Sequence, residues 1–270
     1  MGKIIAFTNQ KGGVGKTTTC INMSAYLAAM GKKVLSVDLD PQGNTTSGLG
    51  IQKSKLTKSI YNALMGDCPI DDVIAPTSVD NLDIIPSNID LAGAEVEMVY
   101  LDQREKLLQG VLNKLKNTYD YICVDCPPSL GLLTINALTA CDSVIIPIQS
   151  EFFALEGLSQ LMNTIKLVKK HLNPAIEIDG VLLTMFDGRS NLVNNVADEI
   201  YKYFGNKVFE VKIPRNIRLG EAPSYGLPIM QYDPKSSGAF SYQAFTEEYL
   251  SRNKDSYTKI EDPSVLRKKY

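Results

Sequence analysis

Apolar and polar positions alternate along this chain in two rhythms. Short runs rich in β-branched residues fall at 4–8, 34–38, 82–85, 121–125, 143–148, 181–185 and 208–212. Each is too short for a typical helix, and most are too continuously apolar for a strand with one face in water. Longer helix-patterned segments lie between them. Residues 17–30 place Ile21, Ala25 and Ala28 at helical spacing and stop at Gly31, a natural left-handed cap. Segments 104–116, 155–172 (ahead of Asn173-Pro174) and 192–204 (ahead of Gly205) read the same way. This order predicts an α/β fold whose mainly parallel, twisted sheet carries helices on both faces. Residues 1–250 are expected to form one domain. The apolar pattern then thins, and 251–270 is expected to be a charged tail, mobile or loosely docked.

The first strand and first helix are joined by NQKGGVGKTT, residues 9–18. Gly12, Gly13 and Gly15, with Val14 between them, leave consecutive backbone N–H groups open to phosphate oxygens, and the helix N-terminus adds partial positive charge. Lys16 supplies a full charge for β- and γ-phosphates. The Thr17 hydroxyl stands where it can ligate Mg²⁺, and Thr18 continues the loop into the helix. The general P-loop pattern wants a glycine five residues before Gly15, but Gln10 stands there. A second lysine, Lys11, precedes the glycines instead. Acidic partners follow at strand ends: Asp38 and Asp40 in VLSVDLDPQGN, and Asp125 in YICVDCPPS. A carboxylate at the C-terminal edge of a parallel sheet faces the ligand crevice, so Asp125 can help hold Mg²⁺ through water.

Composition narrows the classes. The net charge is −2 over 270 residues, so a DNA site would have to be a local patch. Arg189, Lys202, Lys207, Lys212, Arg215 and Arg218 cluster late in the chain. The cysteines number five, an odd count, and most sit in apolar runs, which argues against a disulfide framework and fits a reducing cytoplasm. The Cys123-x-x-Cys126 pair is read as packed thiols, given no second pair and one histidine, His171. No stretch reaches the roughly 20 apolar residues of a membrane span.

The string KGGVGKT resembles the deviant Walker A loop of the ParA/MinD group of ATPases. The likeness runs from Lys3 to about Leu250, and its nearest form is the chromosomal ParA type, often called Soj. The resemblance implies a P-loop NTPase fold for 1–250 and ATP and Mg²⁺ as cofactors. Lys11 would reach across an ATP-dependent homodimer to the partner's phosphates. Asp40 would orient or activate the attacking water, and Asp125 would take the Walker B position. Pro214 and Asn216, in IPRNIRLGEAPSYG, would contact the adenine, and Arg189 and Arg218 would bind double-stranded DNA without sequence preference. A ParB-type centromere-binding protein would stimulate hydrolysis, and the protein would be cytoplasmic and nucleoid-associated. With no region ahead of the first strand, an operator-binding arm is not expected.

Two rivals share the loop. A MinD-like membrane-surface ATPase needs a C-terminal amphipathic helix, whereas Val265-Leu266 and the following Arg267, Lys268, Lys269 and Tyr270 are preceded by Glu261-Asp262-Pro263. No stable membrane anchor is therefore expected. An electron-transfer ATPase like nitrogenase iron protein needs cysteines placed for a bridging cluster.

Overall fold

A computed structural model describes residues 1–267; Lys268, Lys269 and Tyr270, the last residues of the anchor argument, lie outside the described residues. The strands are β1 (Lys3–Phe7), β2 (Val34–Asp38), β3 (Ala75–Pro76), β4 (Leu82–Ile85), β5 (Tyr121–Asp125), β6 (Ser143–Gln149) and β7 (Glu177–Thr184). They form one sheet in the order β3-β4-β2-β5-β1-β6-β7. Every pairing is parallel except the short β3-β4 contact at the edge.

The near-continuous apolar runs are explained by a core on each face. Along β1, Ile4 and Ala6 join one cluster while Ile5 and Phe7 join the other. Along β5, Ile122 and Val124 face the first and Tyr121 and Cys123 the second, as the two-residue period of a strand requires. The helices are α1 (Lys16–Ala29), α2 (Asn44–Gly48), α3 (Ile60–Met65), α4 (Leu91–Glu97), α5 (Leu107–Leu112), α6 (Leu132–Ala140), α7 (Ala154–His171), α8 (Asn191–Phe204), α9 (Ile217–Glu221), α10 (Ile229–Tyr232) and α11 (Ser237–Arg252). Helices α3 to α8 cover the first face. Helices α1, α10 and α11 cover the second, where Thr19 meets the Tyr242 hydroxyl at 3.1 Å. Cys123 and Cys126 are both buried but belong to opposite cores, which fits the packed-thiol reading.

Register sets up the chemistry. Phe7 and Asp38 both pair with Asp125, so the ends of β1, β2 and β5 lie level at one edge of the sheet.

Two expected elements are corrected. Residues 208–212 do not form a strand: Val208 makes only an isolated bridge to Val181. Phe209 N still donates to Val181 O at 2.9 Å, but the Glu248 side chain takes Glu210 N at 2.8 Å and Val211 N at 3.0 Å, and the ladder breaks off there. The expected helix 104–116 is shorter, a 3₁₀ turn at Arg104–Lys106 leading into α5. The tail packs back over the second face. Thr258 N donates to Met30 O at 3.1 Å, Asp255 accepts from the Tyr121 hydroxyl, and Ile260 and Leu266 lie against that core.

Candidate functional site

The loop after β1 owes its shape to two residues far away in sequence. Asn9 donates Nδ2 to Pro147 O at 2.9 Å and accepts Lys11 N on Oδ1 at 3.0 Å. Thr184, at the end of β7, donates Oγ1 to Val14 O at 2.7 Å. Between these ties the backbone passes through left-handed φ of 74° at Gly13 and 86° at Gly15, conformations that favour glycine. A Cβ on Gly13 would meet no atom within 4 Å, so the loop opens onto space.

Lys16, only 7% exposed, begins α1 and donates Nζ to Lys11 O at 3.1 Å. Burial pushes its ammonium below the usual range, opposed first by the Asp125 carboxylate and then by Cys126 and Asp40. Asp125 is fully buried and accepts two hydroxyls on Oδ2, from Thr17 at 2.7 Å and Thr45 at 2.8 Å. Its Oδ1 is buried with no hydrogen-bond partner among the described residues. Burial and the nearby Asp38 push its carboxyl up to about 7. Burial likewise pushes Asp38 up to about 6, against the hydrogen bonds it accepts from Thr46. An orphaned acidic oxygen beside a threonine hydroxyl and an unblocked glycine loop is a donor set that fits a hydrated divalent cation.

Asp38 and Asp40 have separate tasks. Asp38 Oδ2 accepts Thr46 N at 2.7 Å and Thr46 Oγ1 at 2.6 Å, folding the loop after β2 onto α2. Asp40 lines the cleft, with Oδ1 held by Gln42 N at 2.9 Å and no donor on Oδ2 among the described residues.

The cleft, about 430 Å³, brings together Gly12, Gly13, Gly15, Lys16, Thr17, Thr18 and Asp40 with Met185, Pro214 and Asn216. Asn216 is partly committed: its Oδ1 caps α9 by accepting Arg218 N at 2.8 Å, and its Nδ2 donates to Ser237 Oγ at 2.7 Å. Lys11 does not line this cleft. Its ammonium pairs with Glu151 on an adjoining surface bordered by Pro128, Leu130 and Phe153. Arg189 and Arg218 lie outside the cleft. Arg189 is bidentate to Asp187 at 2.8 and 2.6 Å, which holds the Asp187 carboxyl down to about 2. Arg218 pairs with Glu221 at 2.8 Å and with Asp233 at 3.4 Å.

Asn9, Thr45, Glu151 and Thr184 escaped the sequence reading. Asn9 and Thr45 sit within or beside the quoted motifs and could have been found there. Glu151 and Thr184 carry no local signal.

A family model described as an AAA domain matches residues 2–178. The chain is 59% identical over 248 residues to the sporulation initiation inhibitor protein Soj of Bacillus subtilis, covering 92% of this chain and 98% of that one. It is 54% identical to the chromosome partitioning protein ParA of Myxococcus xanthus, covering 94% and 89%. Among solved structures, cobyrinic acid a,c-diamide synthase from Mycobacterium smegmatis with a bound ATP analogue and magnesium is 35% identical. That match has a TM-score of 0.82 and covers 96% of this chain and all of the other. The synthase name stands on that protein; of the two relatives of higher identity, one is named as a sporulation inhibitor, Soj, and the other as a chromosome partitioning protein, ParA. With its deviant phosphate loop, parallel sheet and level strand-end carboxylates, this chain belongs to the ParA/Soj family of partitioning ATPases.

Proposed function

We propose that the chain binds ATP with Mg²⁺ in this cleft and forms an ATP-dependent sandwich homodimer. In that state it binds double-stranded DNA without sequence preference, and a ParB-type centromere-binding protein stimulates hydrolysis and release. It would act in the cytoplasm, on the nucleoid. The carrying observation is the divergence of the two loop lysines. Lys16 lines the cleft, while the Lys11 ammonium turns away to the adjoining surface, held by Glu151. A cation so placed serves a second subunit better than its own. Delivered in trans, it stabilises charge on the transferring phosphoryl group, as an arginine finger does.

Thr17 and Asp125 would hold Mg²⁺, Asp125 through water, in keeping with its orphaned Oδ1. When bound, the ion neutralises phosphate charge and fixes the phosphate geometry. Asp40, with Oδ2 undonated, orients the water that attacks the γ-phosphate. Pro214 and Asn216 form the adenine side. Arg189 and Arg218 bind DNA phosphates by exchanging one oxyanion partner for another.

The membrane-surface alternative is less well supported. Residues Pro263–Leu266 form one 3₁₀ turn, and Leu266 rests on the second core rather than on an outward apolar face. No described helix is long and apolar enough to cross a membrane. The test is binding to unrelated DNA duplexes and to anionic liposomes, each with ATP and with ADP. Binding of every duplex with ATP only supports the proposal. ATP-dependent liposome binding without DNA binding would favour the alternative.

A further inference from the structure

Among the described residues, four other than glycine have positive φ: Asn81, Gln103, Met185 and Lys254. Three of them are exposed, whereas Met185, with φ of 48°, stands in the wall of the cleft. Left-handed backbone beneath a long side chain is uncommon, and it persists where the surroundings impose it.

The surroundings here are visible on both sides. Leu183 O accepts Ile213 N and Phe186 N donates to Ile213 O, both at 2.9 Å, and Phe186 bridges Pro214. Thr184 meanwhile ties β7 to the phosphate loop through Val14. On a regular strand, Thr184 facing the loop would turn residue 185 to the opposite side. The left-handed turn breaks that alternation, so both Thr184 and Met185 line the same cleft. Glycine would take this φ without strain. A side chain kept there adds to the apolar lining made by Ile213, Pro214 and Leu219.

We infer that Met185 is a base-specificity residue, its thioether packing on the purine ring of the nucleotide; this rests on the reading that the cleft takes ATP. A polarizable sulfur suits contact with an aromatic ring, and a purine offers it more area than a pyrimidine. Thr184 and Met185 together set the distance between the phosphate loop and the base wall.

The test compares M185G with M185L for affinity to Mg²⁺ with ATP, CTP and inorganic tripolyphosphate. M185G is to lose about tenfold or more in ATP affinity, the size expected when a methionine is no longer buried. Its tripolyphosphate affinity is to stay unchanged and its preference for ATP over CTP is to narrow. M185L, which keeps the volume, is to stay within about threefold of the parent on ATP. A melting curve checks folding, and M185A, which keeps the parent's backbone constraint, carries the same comparison should M185G not fold. Parent-like ATP affinity in M185G, or equal losses on ATP and tripolyphosphate, would overturn the assignment. Failure of the parent protein to bind ATP would instead remove the functional reading beneath it.

Discussion

The Thr17 hydroxyl, in the first turn of α1, donates to the Asp125 carboxylate at the end of β5 across 2.7 Å. That bond joins the phosphate loop to the acidic edge of the sheet. It leaves the other Asp125 oxygen buried and unpartnered, so the site is under electrostatic tension without a cation. The raised carboxyls of Asp125 and Asp38, at about 7 and about 6, express the same tension.

A folded-state value above the ordinary carboxyl value means that the folded protein holds its proton more tightly than the unfolded chain. The contribution is full below about pH 4 and is lost as pH rises to about 7. Without Mg²⁺, D125N should therefore be more stable than the parent at pH 8, by about 1–2 kcal/mol, and this advantage should shrink as pH falls and vanish near pH 4. Urea unfolding at the two pH values measures it. An equal advantage at both would show that ionisation is not its source.

Lys16→Ala should weaken ATP binding by on the order of 100-fold, because the main buried cation of the cleft is lost while the glycine loop remains. Calorimetric titration reads the change directly. Unaltered affinity would place the triphosphate elsewhere.

Replacing both Arg189 and Arg218 by alanine should abolish most ATP-dependent DNA binding while sparing dimerisation. Each lost phosphate contact should lower the salt slope by about 0.9. Asp187→Asn should act in the opposite direction, since it frees Arg189 from a bidentate partner. The gain should be only about two- to threefold, as an exposed ion pair contributes little. A salt series on unrelated duplexes tests both, and parent-like slopes throughout would leave these arginines as ordinary surface charges.

Most of the sheet was legible because a strand buried on both faces is mainly apolar, as 34–38 and 121–125 are up to the aspartates that end them. The misread parts depend on partners distant in the chain. Val208 and Val211 have strand character, but Glu248 captures the Glu210 and Val211 donors and the ladder breaks off. Helix α6 was missed because LLTINALTA has little polar contrast to mark a face. Helix α11 did carry a signal, a Ser236 cap followed by Ala239, Tyr242, Thr246 and Tyr249 at helical spacing. At the site, the glycine loop, Lys16 and Asp125 follow from local chemistry. Thr184 reaches Val14 across 170 positions with no mark in the sequence around it, and Thr45, although it directly follows the DLDPQGN motif, reaches Asp125 across 80.

The central claim is that ATP joins two subunits through Lys11. Asp40→Ala should bind ATP but hydrolyse it slowly, so that the joined state accumulates. The most direct measurement is the solution mass, by light scattering, of D40A and of D40A with Lys11→Ala, each with Mg²⁺ and ATP. D40A should run at twice the 29.7 kDa chain mass, and the double variant should remain at the monomer mass while still binding ATP. A D40A monomer at saturating ATP, or a double variant that dimerises as fully as D40A, would contradict the account.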